Sequence, residues 1–393
     1  MPRPGAQAPI AAALRATGGS VFSPLADRLA EHPGPLFPLH VGDTWLEPFS
    51  GARMQAIPDE EHAGLHRYGP TSGLEALVDA LVERERQRTG LPRERDELLV
   101  TAGATGGLAC AVSALVDPGE EVLILAPFWP LIRGIVRSQR GVPVEVPFYD
   151  RVGSAAEAVA AVEAACSPRS VALYVSTPSN PTGRMIPEAW LEALAEWARR
   201  RDLWLLSDET YEDLVYRGRH VPLAPRAPER TVVVHSFSKA WGLAGHRVGW
   251  LAGPRPSVEA AHKFQVHSAY HPPVAGQHAA LAVLKGGEGW LSRAREAYRA
   301  AGEASARALG LPSPEGATFL FVDVRKHLGP RGMHGLLEEL LEVGVVVAPG
   351  ASSGEAYEGF VRLCYTSAPP DQVAEAVRRL ARVLEERLSG HPS

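Results

Sequence analysis

Lys239 stands in Ser236-Phe237-Ser238-Lys239-Ala240-Trp241-Gly242-Leu243-Ala244-Gly245-His246-Arg247-Val248-Gly249, a glycine-rich loop that follows the apolar run Thr231-Val232-Val233-Val234. A lysine amine in such a loop can condense with an aldehyde to form a Schiff base. The two serine hydroxyls, with a guanidinium eight residues beyond the lysine, can clamp a phosphate. The ligand these groups imply is pyridoxal phosphate, which carries both functions.

A loop lysine can also simply face water, so the partners elsewhere in the chain decide. Leu203-Trp204-Leu205-Leu206-Ser207-Asp208 reads as a buried strand that ends in an acid, with Glu209-Thr210-Tyr211 directly behind it. Val171-Ala172-Leu173-Tyr174-Val175-Ser176 reads as another strand, running into the turn-rich Thr177-Pro178-Ser179-Asn180-Pro181-Thr182-Gly183. Leu98-Leu99-Val100-Thr101-Ala102-Gly103-Ala104-Thr105-Gly106-Gly107 reads as strand, tight turn and helix start. Free amides and the helix dipole favour an anion there, and the loop has neither the Gly-Lys-Ser/Thr of a nucleotide P-loop nor a dinucleotide fingerprint. Each polar group thus falls at the carboxyl end of a strand, the edge at which open α/β sheets bind ligands.

In the order of these motifs the chain resembles the class I/II aminotransferases, the aspartate aminotransferase-like superfamily of fold type I pyridoxal phosphate enzymes, from about Leu39 to the C-terminal helix. The resemblance implies that Lys239 forms the Schiff base with pyridoxal 5'-phosphate and, once freed, moves the proton between Cα and C4'. It implies that Asp208 pairs with the pyridine nitrogen, and that Tyr211 and Asn180 hydrogen-bond the ring oxygen. A carboxylate beside that nitrogen keeps it protonated and so able to draw electrons from Cα. Ser236, Ser238 and Arg247, with Gly103, Ala104 and Thr105, match the phosphate ligands. Trp129, in Ala126-Pro127-Phe128-Trp129-Pro130, matches the aromatic ring that stacks on the cofactor; its alternative is to fill the core.

Arg362, in Gly359-Phe360-Val361-Arg362-Leu363-Cys364-Tyr365, resembles the anchor of the substrate carboxylate, a role suited to a planar fork of donors. Asn180 and Gly42, the latter in Leu39-His40-Val41-Gly42-Asp43-Thr44, match positions beside that carboxylate. Here the chain departs from the common Gly-x-Pro-Asp pattern, since Thr44 and Trp45 stand near where relatives place proline and acid. Tyr68, in His66-Arg67-Tyr68-Gly69-Pro70, matches the tyrosine that relatives donate to the neighbouring subunit's phosphate, which implies a homodimer. No residue takes the place of a second cation for a dicarboxylate; Trp45, Phe49, Trp129, His246 and Tyr270 are candidates for an apolar or aromatic-tolerant pocket.

Strand and helix signals alternate through the middle of the chain: a strand at 121–125, a helix at 131–140, extended chain at 142–146. The pattern and the family likeness together predict an α/β fold. Its large cofactor-binding domain, residues 52–285, holds a mostly parallel sheet sandwiched by helices. A smaller α+β domain is formed by residues 1–51 and 286–393, with a helix at 289–309, strands at 316–322, 345–347 and 360–363, and a closing helix at 371–387.

Bulk properties narrow the classes without selecting one. At 393 residues, 45% hydrophobic and 22% charged, the chain has the composition of a soluble globular protein long enough for two domains. A formal net charge of −5 speaks against a general nucleic-acid or anionic-membrane surface, and no apolar run is long enough to span a bilayer. Residues 1–10 lack a signal peptide's apolar core, and Cys110, Cys166 and Cys364 show no Cys-x-x-Cys spacing; both predict a cytoplasmic protein with reduced cysteines. No metal site is predicted: His262, His267 and His271 lack carboxylate or cysteine companions, and Ala63 stands where a zinc protease helix bearing His62 and His66 would need glutamate.

Three functions remain on the sequence. The first is a pyridoxal phosphate-dependent aminotransferase that moves an amino group from an L-amino acid to a 2-oxo acid. The second is a lyase or oxidase-like biosynthetic enzyme on the same scaffold. The third is a cofactor-binding regulatory module without turnover, disfavoured because the aminotransferase-like unit occupies nearly the whole chain.

Overall fold

The computed structural model describes residues 11–15, 31–57 and 64–389; residues 1–10, His62 and Ala63 lie outside them. Strands β1 (Leu98–Thr101), β2 (Glu121–Ala126), β3 (Val142–Pro147), β4 (Ser170–Ser176), β5 (Trp204–Asp208), β6 (Thr231–Ser236) and β7 (Gly249–Ala252) form one sheet in the order β1-β7-β6-β5-β4-β2-β3. β7 runs antiparallel to both its neighbours, and the pairings among β2 to β6 are parallel. The inner strands are apolar without alternation because both faces of the sheet are covered.

The two faces still sort by the two-residue period of the strand. Leu123, Leu125, Leu173, Val175 and Leu205 pack on one side with Leu191 and Leu194 of a helix at Glu188–Arg201. Val122, Ile124, Ala172, Tyr174 and Leu206 pack on the other with Leu108 and Val112 of the helix α2 (Gly103–Leu115), which follows α1 (Glu75–Thr89). Burial of each such large side chain is worth roughly 1.5–3 kcal/mol.

A second, smaller sheet is antiparallel, in the order β8-β10-β9, from β8 (Phe319–Asp323), β9 (Ala348–Pro349) and β10 (Phe360–Cys364). Its core takes Leu320, Val361 and Leu363 from the sheet, Val373, Val377 and Leu380 from the closing helix Pro370–Leu388, and Phe37 and Leu39 from the N-terminal segment. The strand expected at 345–347 falls instead at Ala348–Pro349, while Val345 forms a lone bridge with Phe37. The strand expected from Gly316 begins at Phe319, because Ala317 takes a positive φ of 60° and Gly316 bridges Val215 instead. Among the described residues no helix is long and apolar enough to cross a membrane.

Candidate active site

The registers bring the carboxyl ends of the parallel strands to one edge. Ser176 of β4 lies opposite Asp208 of β5, and Thr101 of β1 and Ser236 of β6 both lie opposite Gly249 of β7. Gly249 makes this approach possible: a Cβ there would lie 2.4 Å from the His235 carbonyl and 2.9 Å from the Ala104 amide nitrogen. Larger residues would push the lysine loop away from the first turn of α2.

One cavity opens at this edge, lined by Ala104, Thr105, Trp129, Asn180, Asp208, Thr210, Tyr211, Ser236, Ser238, Lys239 and Arg247. Ten of the fourteen expected site residues meet there, while Gly42, Tyr68, Gly103 and Arg362 are not part of its lining. Asp208 is the only carboxylate of that lining, against the cations of Lys239 and Arg247, so the cavity suits an anion.

Where the phosphate ligands are expected, Ser236 belongs to the end of β6 and not to the loop, and its hydroxyl donates to Ser238 Oγ at 2.8 Å. Arg247, in the left-handed region at φ 53°, donates to the Ala244 and Ala102 carbonyls at 2.9 and 3.2 Å. Its nearest acceptor side chain is Ser238 at 3.5 Å. No side chain caps α2 at Ala102, which leaves the first-turn amides available to an anion. Gly103, at φ 70°, has no Cβ; one placed there would stand 2.6 Å from Arg247 Nη2 and close the cradle.

Lys239 is largely buried, and its ammonium donates to the Gly42 carbonyl. Burial pushes the amine below its ordinary pKa; Asp43 and Cys364 oppose that, while Arg247 and Arg362 add to it. A depressed lysine pKa is what a nucleophile or general base at neutral pH requires. Asp208 accepts from the Tyr174 hydroxyl at 2.6 Å and from the Thr210 amide at 3.2 Å. Burial pushes the Tyr211 phenol up, and its ring meets Phe319 edge-on at 5.8 Å.

Arg362 comes from the small sheet. In β10, Val361 and Leu363 turn to the small core, so the alternate residues Phe360, Arg362 and Cys364 face the large sheet. Its guanidinium donates to Asn180 Oδ1 at 3.0 Å and to the His40 carbonyl at 2.7 Å, and lies 4.6 Å from the centre of the Phe319 ring. It is 9% exposed, and among the described residues no carboxylate pairs with it. Burial accordingly lowers its pKa. Burial, with help from Arg362, also drives His40 down to about 4, so that imidazole is neutral beside the guanidinium.

Other expected residues lie apart. Tyr68 is 84% exposed, rests on the Tyr270 ring at 4.9 Å and takes no part in the cavity wall of its own chain. Gly42 contributes its carbonyl to Lys239, and a Cβ on it would stand 2.9 Å from Phe319. Of the five aromatic-pocket candidates only Trp129 lines the cavity; Trp45 and Phe49 pack on the large core, and Tyr270 packs on Tyr68. His262 and His271 are engaged by Thr71 and by the Gly69 amide. Two site residues escaped the sequence reading. Thr210 was visible only as part of the acid-bearing run, and Tyr174 looked like one more apolar member of a buried strand.

Behind the wall, a buried charge network holds the segment that carries Asp208 and Tyr211. His235, next to Ser236, lies 3.2 Å from both Glu85 and Glu212, and its ring stacks on Trp250 at 4.6 Å. Arg84 and Arg88 of α1 join Glu212 and Asp213. Burial alone would lower the histidine, but Glu212 and Glu85 outweigh it and raise it to about 10. The folded pKa thus exceeds the unfolded one, so the stabilisation is complete below about pH 6.5 and is lost as pH rises towards 10. We expect the melting temperature to fall by roughly 5 °C more between pH 7 and 9.5 in the wild type than in His235→Asn. Parallel pH slopes in the two proteins would show that His235 is neutral in the fold.

The model of the family "Aminotransferase class I and II" matches residues 43–380. The chain belongs to that family and is an aminotransferase. A probable aspartate/prephenate aminotransferase of Thermus aquaticus is 36% identical over 330 residues, 82% of this chain and 85% of the relative. Aromatic-amino-acid aminotransferase 2 of Thermococcus litoralis is 32% identical over 82% of this chain and 85% of its own. Among solved structures, the aspartate aminotransferase from Thermus thermophilus with maleate superposes with a TM-score of 0.86 at 32% identity, covering 95% of this chain and 99% of that one.

Proposed function

We propose that the cavity at the strand ends holds pyridoxal 5'-phosphate, and that Lys239 and Arg362 use it to exchange an amino group between an L-amino acid and a 2-oxo acid. The observation that carries this reading is Arg362: a buried guanidinium bonded to an asparagine of the cavity wall, it has only neutral acceptors among the described residues and so lacks there the counter-ion that a substrate carboxylate supplies.

The residues present fit the cofactor. Ser236, Ser238 and Arg247, with the open amides of Gly103, Ala104 and Thr105 at the start of α2, would take its phosphate, in a cradle that a Cβ at Gly103 would fill. Bound there, the cofactor supplies an aldehyde for amines and a cationic ring that accepts the electron pair left at Cα. Asp208 would hold the proton on the ring nitrogen, Tyr211 and the amide of Asn180 would donate to the ring oxygen, and Trp129 would cover one face of the ring. Asn180 Oδ1 already accepts from Arg362, so its NH2 group is the part left to donate towards ring oxygen and substrate. Arg362 would grip the substrate carboxylate near the Gly42 backbone. Lys239, its amine made less basic by burial, would serve as the covalent anchor and then carry the proton from Cα.

In this reading the enzyme is a cytoplasmic homodimer. Support comes from Tyr68, exposed and away from its own cavity, and thus free to serve the neighbouring phosphate site, and from the free thiols of Cys110, Cys166 and Cys364. The large unit at 52–285 would carry the cofactor, and the unit from 1–51 and 286–393 would bring Arg362.

Single L-amino acids added to the purified holoenzyme test the function, with aspartate first because relatives are named for it. Loss of the visible cofactor band with formation of one 2-oxo acid, then recovery on adding 2-oxoglutarate or pyruvate, is the expected result. Release of ammonia or of a side-chain fragment, with no amino group passed to the 2-oxo acid, would replace transfer by elimination or oxidation.

A further inference from the structure

Asp208 is a buried carboxylate with no cation paired to it among the described residues. Its partners in the chain are neutral: the Thr210 amide on Oδ1 and the Tyr174 hydroxyl on Oδ2. The amide comes from the turn that any residue there would form. The hydroxyl comes from a side chain that this sequence happens to place two residues back on the neighbouring strand.

The register explains how it reaches. Ser176 is opposite Asp208 and Tyr174 is opposite Leu206, so Tyr174 and Asp208 are diagonal neighbours on one face of the sheet. A donor there must span one pleat to touch the carboxylate. An aromatic ring bridges diagonal neighbours, and tyrosine alone ends that ring in a hydroxyl. The ring is fully buried among Ile124, Leu206 and Val234, and burial together with the Asp208 carboxylate pushes the phenol well above its ordinary pKa. It therefore acts as a donor throughout the working pH range.

We propose that Tyr174 is a positioning residue of the aminotransferase reaction: its hydroxyl fixes one oxygen of Asp208, holding the carboxylate turned towards the ring nitrogen of the cofactor. The role rests on the cofactor reading above. A carboxylate held in place by a donor would meet a protonated ring nitrogen with a fixed oxygen. With the hydroxyl removed, Asp208 keeps the Thr210 amide on one oxygen alone, and its other oxygen is no longer held towards the ring nitrogen. Asp208 would then hold a bound ring less firmly in its cationic form, the form that accepts electrons from Cα.

Tyr174→Phe removes one oxygen and preserves the ring, so the test follows cofactor binding and spectrum as well as turnover. For the variant we expect affinity of the apoenzyme for pyridoxal 5'-phosphate to fall by about ten-fold. The pH midpoint of the visible band should rise by about half a unit, since a less positive ring leaves the lysine linkage more basic. The kcat should fall by about ten-fold with an unchanged KM for the amino donor, because Arg362 is untouched. In the Asp208→Asn background the same substitution should change affinity by less than about two-fold, as expected if Tyr174 acts only through that carboxylate.

Unchanged affinity and midpoint in Tyr174→Phe would overturn the role. So would equal losses in both backgrounds, which would mark a packing effect. A wild-type chain that takes up no pyridoxal phosphate would instead overturn the cofactor reading and this role with it.

Discussion

Lys239→Ala should lose nearly all transamination, by about 10⁴-fold or more in kcat, because in the proposed reading one substitution removes both the covalent anchor and the proton carrier. The fold should survive. Lys239 makes one hydrogen bond, to the Gly42 carbonyl, and its stem ends beside the cavity without filling the core. The phosphate cradle is built from other residues, so the variant should still bind pyridoxal phosphate, with the absorption of the free aldehyde in place of the Schiff-base band. Single-turnover mixing with an L-amino acid measures the loss directly. Turnover within ten-fold of the wild type would transfer the catalytic role to another amine.

Arg362→Lys should raise KM for both the amino acid and the 2-oxo acid by roughly 10- to 100-fold while lowering kcat less. The guanidinium places one terminal nitrogen on Asn180 Oδ1 and the other on the His40 carbonyl, and each keeps a further N–H to give. An ammonium is a point charge that cannot keep those two bonds and still meet both carboxylate oxygens. It would also be buried with no carboxylate of the described residues beside it, so it would shed its proton more readily than arginine. Both substrates bear the same carboxylate, so both KM values should move together. An unchanged KM would place the carboxylate on a different cation.

These expectations draw on different levels of the molecule. Lys239, Asp208, Asn180 and the Gly103 turn were legible in sequence because each ends or closely follows an apolar strand, and parallel strands deliver their carboxyl ends to one edge. The large sheet was legible for the same reason: uninterrupted apolar runs separated by helical stretches leave few alternatives to strands covered on both faces. Boundaries in the small sheet were less so. Val345 to Val347 carry strong strand propensity, yet the ladder with β10 forms at Ala348 and Pro349, because pairing to Phe37 and packing in the small core decide the register.

What the sequence by itself determined is the set of reactive groups and the edge at which they gather, since strand order, turn residues and a lysine loop are local features. Only the tertiary structure decided which neutral and charged neighbours those groups meet. It placed Arg362 against Asn180 across nearly half the chain, seated Asp208 on the tyrosine hydroxyl of an adjacent strand, and locked His235 between two glutamates from α1 and the Asp208 segment. It also left Trp129 alone on the cavity wall out of five aromatic-pocket candidates. Contacts between residues far apart in sequence depend on register and packing, and a one-residue slip of β4 against β5 would turn Tyr174 to the opposite face.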